Sequence, residues 1–512
     1  MPTRRAFLQQ LSVAAAPFAF TSCASAAKPP NILFCISDDQ SYPHAGAYGS
    51  RFVKTPAFDR VAAEGILFQN SFVSTPSCCP SRGSVLSGQD FYRLREASMN
   101  HTIWPIENDV PLYTDLLAEA GYHVGFSGKG WGPGNWQLSG REHSPSGPVY
   151  NDIKLDPPGE FISPIDYAAN FENFLDERQE DAPFCFWAGF IEPHRELDDG
   201  IGVRNGIQLE DVEVPGFLPD APEVRGDIAD YAFEIDHFDS HLGRMLALLE
   251  ERGELDNTIV VVTSDNGMAF PRAKASVYEY GAHMPLAIRW GARVAPGRTV
   301  DDFISHRDFA PTFLEAAGVS IPADMTGRSL MPILASKDSG QIDPSRDHAV
   351  FGIERHFPGS RPDGAGYPIR AIRTADYLYI RNIPPEATPV GDHPGPSWPA
   401  SDTTGGFGDT DGGPTKTYIW EHRQDQPRYA EMAFAKRPAE ELYSVHDDPL
   451  DMANRASDPE LGGIKTKLST QLDAYLTATA DPRATGNAAL LDSVMLKYPY
   501  LGTNNPTTEQ SR

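Results

Sequence analysis

The chain has 512 residues, 40% of them hydrophobic and 22% charged, an ordinary globular composition long enough for two or three packed units. Its net charge of −27 at pH 7 argues against nucleic acid and anionic membrane surfaces as partners. Five cysteines, Cys23, Cys35, Cys78, Cys79 and Cys185, form neither a disulfide framework nor a C-x-x-C zinc spacing.

Residues 1–26 read as an export signal. Arg4-Arg5 precedes an alanine-rich apolar run over 11–20 and then small residues. The paired arginines are similar to a twin-arginine signal and point to a periplasmic destination. Phe20-Thr21-Ser22-Cys23 is an imperfect lipobox that would anchor the chain through Cys23. No later apolar run is long enough to span a bilayer, so no transmembrane segment is expected.

Beyond a Lys28-Pro29-Pro30 linker, residues 31–37 form a continuous apolar run, the pattern of a strand buried on both faces, and it ends in Asp38-Asp39. Thr55, Pro56 and Gly65 mark the cap, first position and stop of a helix. A strand is expected over 66–73, leading into a loop with two adjacent cysteines. Pro80 suits a first helical turn, which puts Cys78 just ahead of a helix N-terminus with Arg82 one turn in. That is an electropositive setting for a nucleophile or an anion. A helix is expected over 110–120, and a strand over 122–127 leading to Gly128-Lys129-Gly130. A further strand is expected over 184–191, with His194 beyond it. Ile228, Tyr231, Ile235, Phe238, Leu242, Met245 and Leu249 fall on one face of a helix read over 227–253. Residues 257–264 form another buried strand, followed by Asp265-Asn266-Gly267.

Strands alternating with helices predict an α/β fold, with a large, mostly parallel sheet sandwiched by helices over 27–340. Past about residue 335 the texture changes. Strands at 369–374 and 377–383, a Pro/Gly/Asp-rich stretch over 384–415 and an amphipathic helix over 464–480 predict a smaller C-terminal α+β domain over 341–485. Residues 486–512 read as an irregular tail. In an open α/β sheet, ligands bind beyond the carboxyl ends of the strands, where Asp38-Asp39 and Asp265-Asn266 both stand. If those strands are neighbours, three carboxylates and an amide converge, hard oxygen ligands that suit Ca²⁺ or Mg²⁺.

The order Cys78-x-Pro80-Ser81-Arg82, followed by Leu86-Ser87-Gly88, resembles the signature of the type I sulfatases, an alkaline-phosphatase-like family. In that family a maturation enzyme oxidises the first cysteine to formylglycine, an aldehyde that hydrates to a gem-diol. The resemblance implies that Cys78 is modified in this way. It also implies one Ca²⁺ ion held by Asp38, Asp39, Asp265, Asn266 and the modified Cys78. One hydroxyl of the diol then attacks sulfur, and the second later expels sulfate. Arg82, Lys129, His194 (in Pro193-His194-Arg195) and Lys274 are implied as the groups that stabilise the sulfuryl oxygens.

His283 and His356 are polar residues near the expected pocket. Many sulfatases carry a histidine two residues after the lysine that matches Lys129, where this chain has Trp131. That leaves the general acid open, with His194 or His283 as stand-ins and Trp131 as a platform for a sugar ring. The stretches Leu218-Pro219-Asp220-Ala221-Pro222-Glu223-Val224-Arg225 and Ser264-Asp265-Asn266-Gly267-Met268-Ala269-Phe270-Pro271 look like the sulfamidase branch of the family.

The function implied is removal of sulfate, as an ester or an N-sulfo group, from a sulfated mono-, oligo- or polysaccharide. A phosphatase or phosphonate monoester hydrolase of the same superfamily is one alternative, and a non-catalytic glycan-binding protein with an unmodified Cys78 is another. A cysteine hydrolase would need a dedicated base beside Cys78, and the sequence identifies none.

Overall fold

A computed structural model describes residues 28–361 and 364–497. The export signal, Cys23 and the end of the chain lie outside the described residues. Among the described residues, seven strands make one sheet: β1 (Asn31–Ser37), β2 (Ile66–Phe72), β3 (His123–Gly128), β4 (Phe184–Gly189), β5 (Thr258–Ser264), β6 (Leu286–Arg289) and β7 (Arg298–Ser305). Their spatial order is β3-β4-β1-β5-β6-β2-β7, and every neighbouring pair is parallel except those made by β6.

A sheet of this kind needs both faces covered, and β1 shows how the sequence supplies them. Ile32, Phe34 and Ile36 enter one core with Trp187, Ile259, Val261, Phe309 and Phe313. Leu33 and Cys35 point the other way, into a core with Phe186, Val260, Val262, Phe238 and Leu242. Helices α1 (Pro56–Glu64), α2 (Cys78–Ser87), α3 (Tyr113–Glu119) and α4 (Tyr167–Glu177) divide between the faces. α2 and α3 pack with the helix Phe309–Ala316 on the first, and α1 and α4 with the long helix Pro222–Glu251 on the second. This is the mostly parallel, helix-sandwiched sheet that the sequence predicts.

Two helix starts differ from expectation. The long helix begins at Pro222 rather than 227, because proline fits the first turn and Val224 is already fully buried. The helix expected from 110 begins at Tyr113: Pro111 biases its predecessor away from helical dihedrals, and Leu112 is an extended N-cap.

The smaller sheet is antiparallel, in the order β11-β10-β9-β8, from β8 (His348–Ile353), β9 (Ile369–Thr374), β10 (Tyr377–Asn382) and β11 (Glu440–Ser444). The helix Gly462–Ala478 lays Leu468, Leu472 and Leu476 against Val350, Ile372, Tyr379 and Leu442. The irregular tail expected from 486 is corrected: Ala489–Lys497 is a helix. Leu491, Val494 and Met495, at helical spacing, join the same core. No helix among the described residues is long and apolar enough to cross a membrane.

Candidate active site

β1 and β5 are neighbours in register, Ser37 opposite Ser264, so Asp38 and Asp265 leave the sheet side by side. The Asp265 N–H donates to Ser37 O at 3.1 Å, and the Asp38 N–H donates to Glu192 O beyond β4 at 3.1 Å. The chain turns sharply at Asp39, whose φ is +72°. There the Asp39 N–H donates to Asp265 Oδ1 at 3.1 Å, and Asn266 Nδ2 donates to Asp39 Oδ1 at 2.6 Å. Ligand oxygens of Asp38, Asp39 and Asp265 lie within 4.8 Å of one another.

Cys78 is the first residue of α2, with Ser77 as its extended N-cap, one position deeper than the sequence implied. Its sulfur lies within the same 4.8 Å of Asp38 and His194 ligand atoms. Cys79 faces away, its thiol donating to Pro133 O at 2.8 Å and its N–H to Asn100 Oδ1 at 2.9 Å. Burial pushes the Cys78 thiol well above its ordinary range, against the pull of Lys129 and Lys274. An unmodified thiolate is therefore disfavoured as the nucleophile.

Three cations close the cluster. Arg82 donates from Nε to Asp265 Oδ2 and from Nη1 to Lys129 O, both at 2.6 Å, with Nη2 3.8 Å from Asp38 Oδ1. Nε and Nη1 are thus committed to the carboxylate and the chain behind it, while Nη2 is buried without a hydrogen-bond partner. The Lys129 ammonium pairs with Asp38 Oδ2, and its backbone N–H donates to Gly189 O at 2.6 Å. Gly128, at φ +78°, makes that turn possible, since a Cβ there would sit 1.9 Å from Gly189 O. Lys274 Nζ lies 2.8 Å from Asp39 Oδ2 and 3.2 Å from Asp411 Oδ2.

His194 Nε2 is 3.9 Å from Asp39 Oδ2, while Nδ1 bonds to Arg195 O. That bond assigns the Nδ1–H tautomer and leaves Nε2 as an acceptor. Burial, with Lys274 and Lys129 nearby, holds His194 well below its usual range. Arg195 in turn donates to Asp227 Oδ2 at 2.7 Å and to Ala269 O at 2.7 Å, which fixes the loop that presents His194.

The donor set fits a hard divalent cation. Asp38 Oδ1 and Asn266 Oδ1 are buried without a hydrogen-bond partner. Burial pushes Asp39 up to about 8, Lys274 opposing this and the Asp38 and Asp265 charges reinforcing it. Crowded acids with open oxygens suit Ca²⁺ or Mg²⁺.

The cluster thus brings together Asp38, Asp39, Cys78, Arg82, Lys129, His194, Asp265, Asn266 and Lys274. His356 stands just behind it, Nδ1 2.9 Å from Ser77 Oγ, and burial holds its ring down to about 4.

Two expectations are corrected. Trp131 is fully buried in the core, edge-on to Trp104 with ring centroids 5.1 Å apart, and offers no face to a sugar. His283 is stacked between Tyr42 and Phe72, at 3.9 and 4.6 Å, with Nδ1 2.7 Å from Glu279 Oε1. Both ring faces are covered by packing, and Nε2 is buried without a hydrogen-bond partner.

Asp411 was missed. It comes from the Pro/Gly/Asp-rich stretch, where no periodicity or motif separates it from its neighbours. Burial would raise it, but Lys274, His356 and His194 hold it below the usual carboxylate range.

Buried acids facing cations beside a helix N-terminus, at the carboxyl edge of a parallel sheet, define a hydrolytic centre for tetrahedral anions. The sulfatase family model matches residues 30–319, over half of the chain, and a second model, N-sulphoglucosamine sulphohydrolase C-terminal, matches residues 272–381. The chain belongs to the sulfatase family, a family of sulfuric ester hydrolases. It is 28% identical to an ulvan-active sulfatase of Formosa agariphila over 88% of this chain and 81% of that one. It is 26% identical to human N-sulphoglucosamine sulphohydrolase over 89% of this chain and 91% of the human one. A solved structure of a protein in complex with its substrate, D-glucosamine-2-N,6-O-disulfate, shares the fold with a TM-score of 0.63 and 21% identity, over 89% of this chain and 98% of that one.

Proposed function

We propose that this chain is an exported sulfatase that removes a sulfo group, as a sulfate ester or an N-sulfo group, from a sulfated saccharide. In this reading Cys78 is converted to formylglycine, and a Ca²⁺ ion is held by Asp38, Asp39, Asp265, Asn266 and residue 78. When present, the cation polarises sulfuryl oxygens and the hydrated aldehyde provides an attacking hydroxyl whose twin can later release sulfate.

The chain's own side chains do the rest. Arg82 fixes Asp265 and the Lys129 backbone so that α2 and the strand ends keep one geometry. Lys129 and Lys274 place two ammonium groups where negative charge collects as the sulfur–oxygen or sulfur–nitrogen bond breaks. His194, whose Nε2 carries no hydrogen in this tautomer, can take a hydrogen bond or the proton from the attacking hydroxyl.

The observation that carries this reading is the open, buried oxygen pair of Asp38 and Asn266 beside Cys78 at the end of β1 and β5. Support for a saccharide comes from the activities for which the relatives are named, and the C-terminal family model leans towards the N-sulfo group. The test is sulfate release by the matured, Ca²⁺-loaded protein from N-sulfoglucosamine and from O-sulfated mono- and oligosaccharides. A mass loss at Cys78 must accompany it. A modified Cys78 with turnover of phosphate or phosphonate esters, and no sulfate release, would overturn the reading.

A further inference from the structure

Segment 384–413 has no helix or strand, yet it is held firmly over the cluster. The buried Lys416 ammonium donates to Thr410 O at 2.8 Å and Phe407 O at 3.1 Å and pairs with Asp402. Asp409 accepts from the Phe357 N–H at 2.7 Å and from Arg361 at 3.0 Å. Thr415 donates twice to Asp227, the same carboxylate that holds Arg195.

This anchored segment carries an acid, Asp411, and an aromatic ring, Trp398, linked through one backbone hydrogen bond. Asp411 Oδ2 is ion-paired with Lys274 Nζ at 3.2 Å, without the geometry of a hydrogen bond. Trp398 is coupled to it, because the Gly412 N–H donates to Trp398 O at 2.7 Å. Trp398 is half-buried and packs on Phe357, with centroids 4.7 Å apart, and edge-on to the half-buried His101 at 6.2 Å.

A buried carboxylate within a site for anions is electrostatically adverse. It is tolerated where the bound molecule presents a hydrogen-bond donor to it. An aromatic ring carried on the same segment suits the C–H face of a pyranose.

Resting on the proposed sulfatase reading, we propose that Asp411 and Trp398 form the sugar-recognition subsite. Asp411 accepts a hydrogen bond from a ring hydroxyl of the sulfated sugar, and Trp398 stacks on that ring. The subsite selects a sugar whose edge facing Asp411 is uncharged, and it rejects a second sulfate or a carboxylate there.

The test compares kcat/KM for 4-nitrophenyl sulfate, the best sulfated saccharide, its monodeoxy analogues and an analogue with a second sulfate. In the wild-type protein, one deoxy analogue and the disulfated one should each fall on the order of tenfold or more. Asp411→Ala should lose that discrimination, and its own loss should be at least several-fold greater on the saccharide than on the aryl sulfate. Asp411→Asn serves if the alanine variant does not fold, and the wild-type deoxy series needs no variant. Trp398→Ala should raise KM for the saccharide while keeping the preference over the deoxy analogue.

Equal treatment of all deoxy analogues by the wild type would overturn the subsite. So would equal losses on every substrate in Asp411→Ala, which would mark Asp411 as a support for Lys274. Turnover of the aryl sulfate but of no saccharide would overturn it while the sulfatase chemistry stands. Turnover of neither overturns both.

Discussion

Arg82 Nε donates to Asp265 Oδ2 at 2.6 Å, and both side chains are fully buried. The bond joins the helix that starts at Cys78 to the strand end that carries two of the acidic-edge residues. Arg82→Ala would leave a buried carboxylate without its partner, a loss of about 3–5 kcal/mol. Urea denaturation should show a loss of that size, with sulfate release abolished. Arg82→Lys keeps a charge but not the fork that also reaches Lys129 O, so it should fall between the two. A stable Arg82→Ala would mean the pair does not hold the site together.

With all four acids ionised, as ligation of a divalent cation requires, Asp38, Asp39, Asp265 and Asp411 outnumber Arg82, Lys129 and Lys274 by one charge. A sulfate dianion should bind poorly until a divalent cation reverses that balance. Chelation should therefore remove both turnover and inhibition by free sulfate, and Ca²⁺ should restore both. At a hundred times its Kd the cation should add about 2.7 kcal/mol to stability, read as a shift in thermal unfolding. Asp38→Asn should blunt the shift; a melt indifferent to chelator and Ca²⁺ would count against the site.

Glu279 gives a pH signature away from this cluster. Burial would raise its pKa, but Arg373 and His283 outweigh that and lower it from 4.5 to about 2. A carboxylate depressed in the folded state stabilises fully above its unfolded value and loses the contribution as pH falls through the folded one. The urea midpoint should therefore drop as pH is lowered from about 4.5 towards 2. Glu279→Gln should flatten that part of the profile; parallel profiles would rule the group out.

The two histidines weighed as stand-ins for the general acid should separate cleanly, His194 acting through its unprotonated Nε2 as an acceptor rather than an acid. His194→Ala should lower kcat/KM on the order of a hundredfold or more. His283→Phe keeps the stack between Tyr42 and Phe72 and loses the bond to Glu279. It should lower Tm while kcat/KM stays near the wild-type value. A large catalytic loss in His283→Phe would return that residue to the site.

How much of this was legible in the chain depends on range. The uninterrupted apolar runs of β1 and β5, each ending in acids, revealed both the parallel sheet and the edge where Asp38 and Asp265 meet. The helix before 227 was less visible because Pro222 and Val224 stand ahead of the regular face that begins at Ile228. Asp411 was illegible, because its meaning comes from Lys274, far away in sequence, and from a segment held by hydrogen bonds rather than by a hydrophobic period. Trp131 misled for a related reason: the spacing from Lys129 was visible, but not that the chain turns its indole into the core.

The space around that indole has a consequence of its own. A Cβ on Gly83 would come within 2.9 Å of Leu94 and 3.4 Å of Trp131, and one on Gly134 within 2.7 Å of the indole. Trp131, Gly83 and Gly134 are therefore a matched set. A lone Trp131→His exchange would open a void beside Trp104, a loss comparable to the few kcal/mol of other large-to-small core changes. The tryptophan and the two glycines therefore constrain one another: an exchange at any one of the three leaves a void or a clash that a change at a neighbour must relieve.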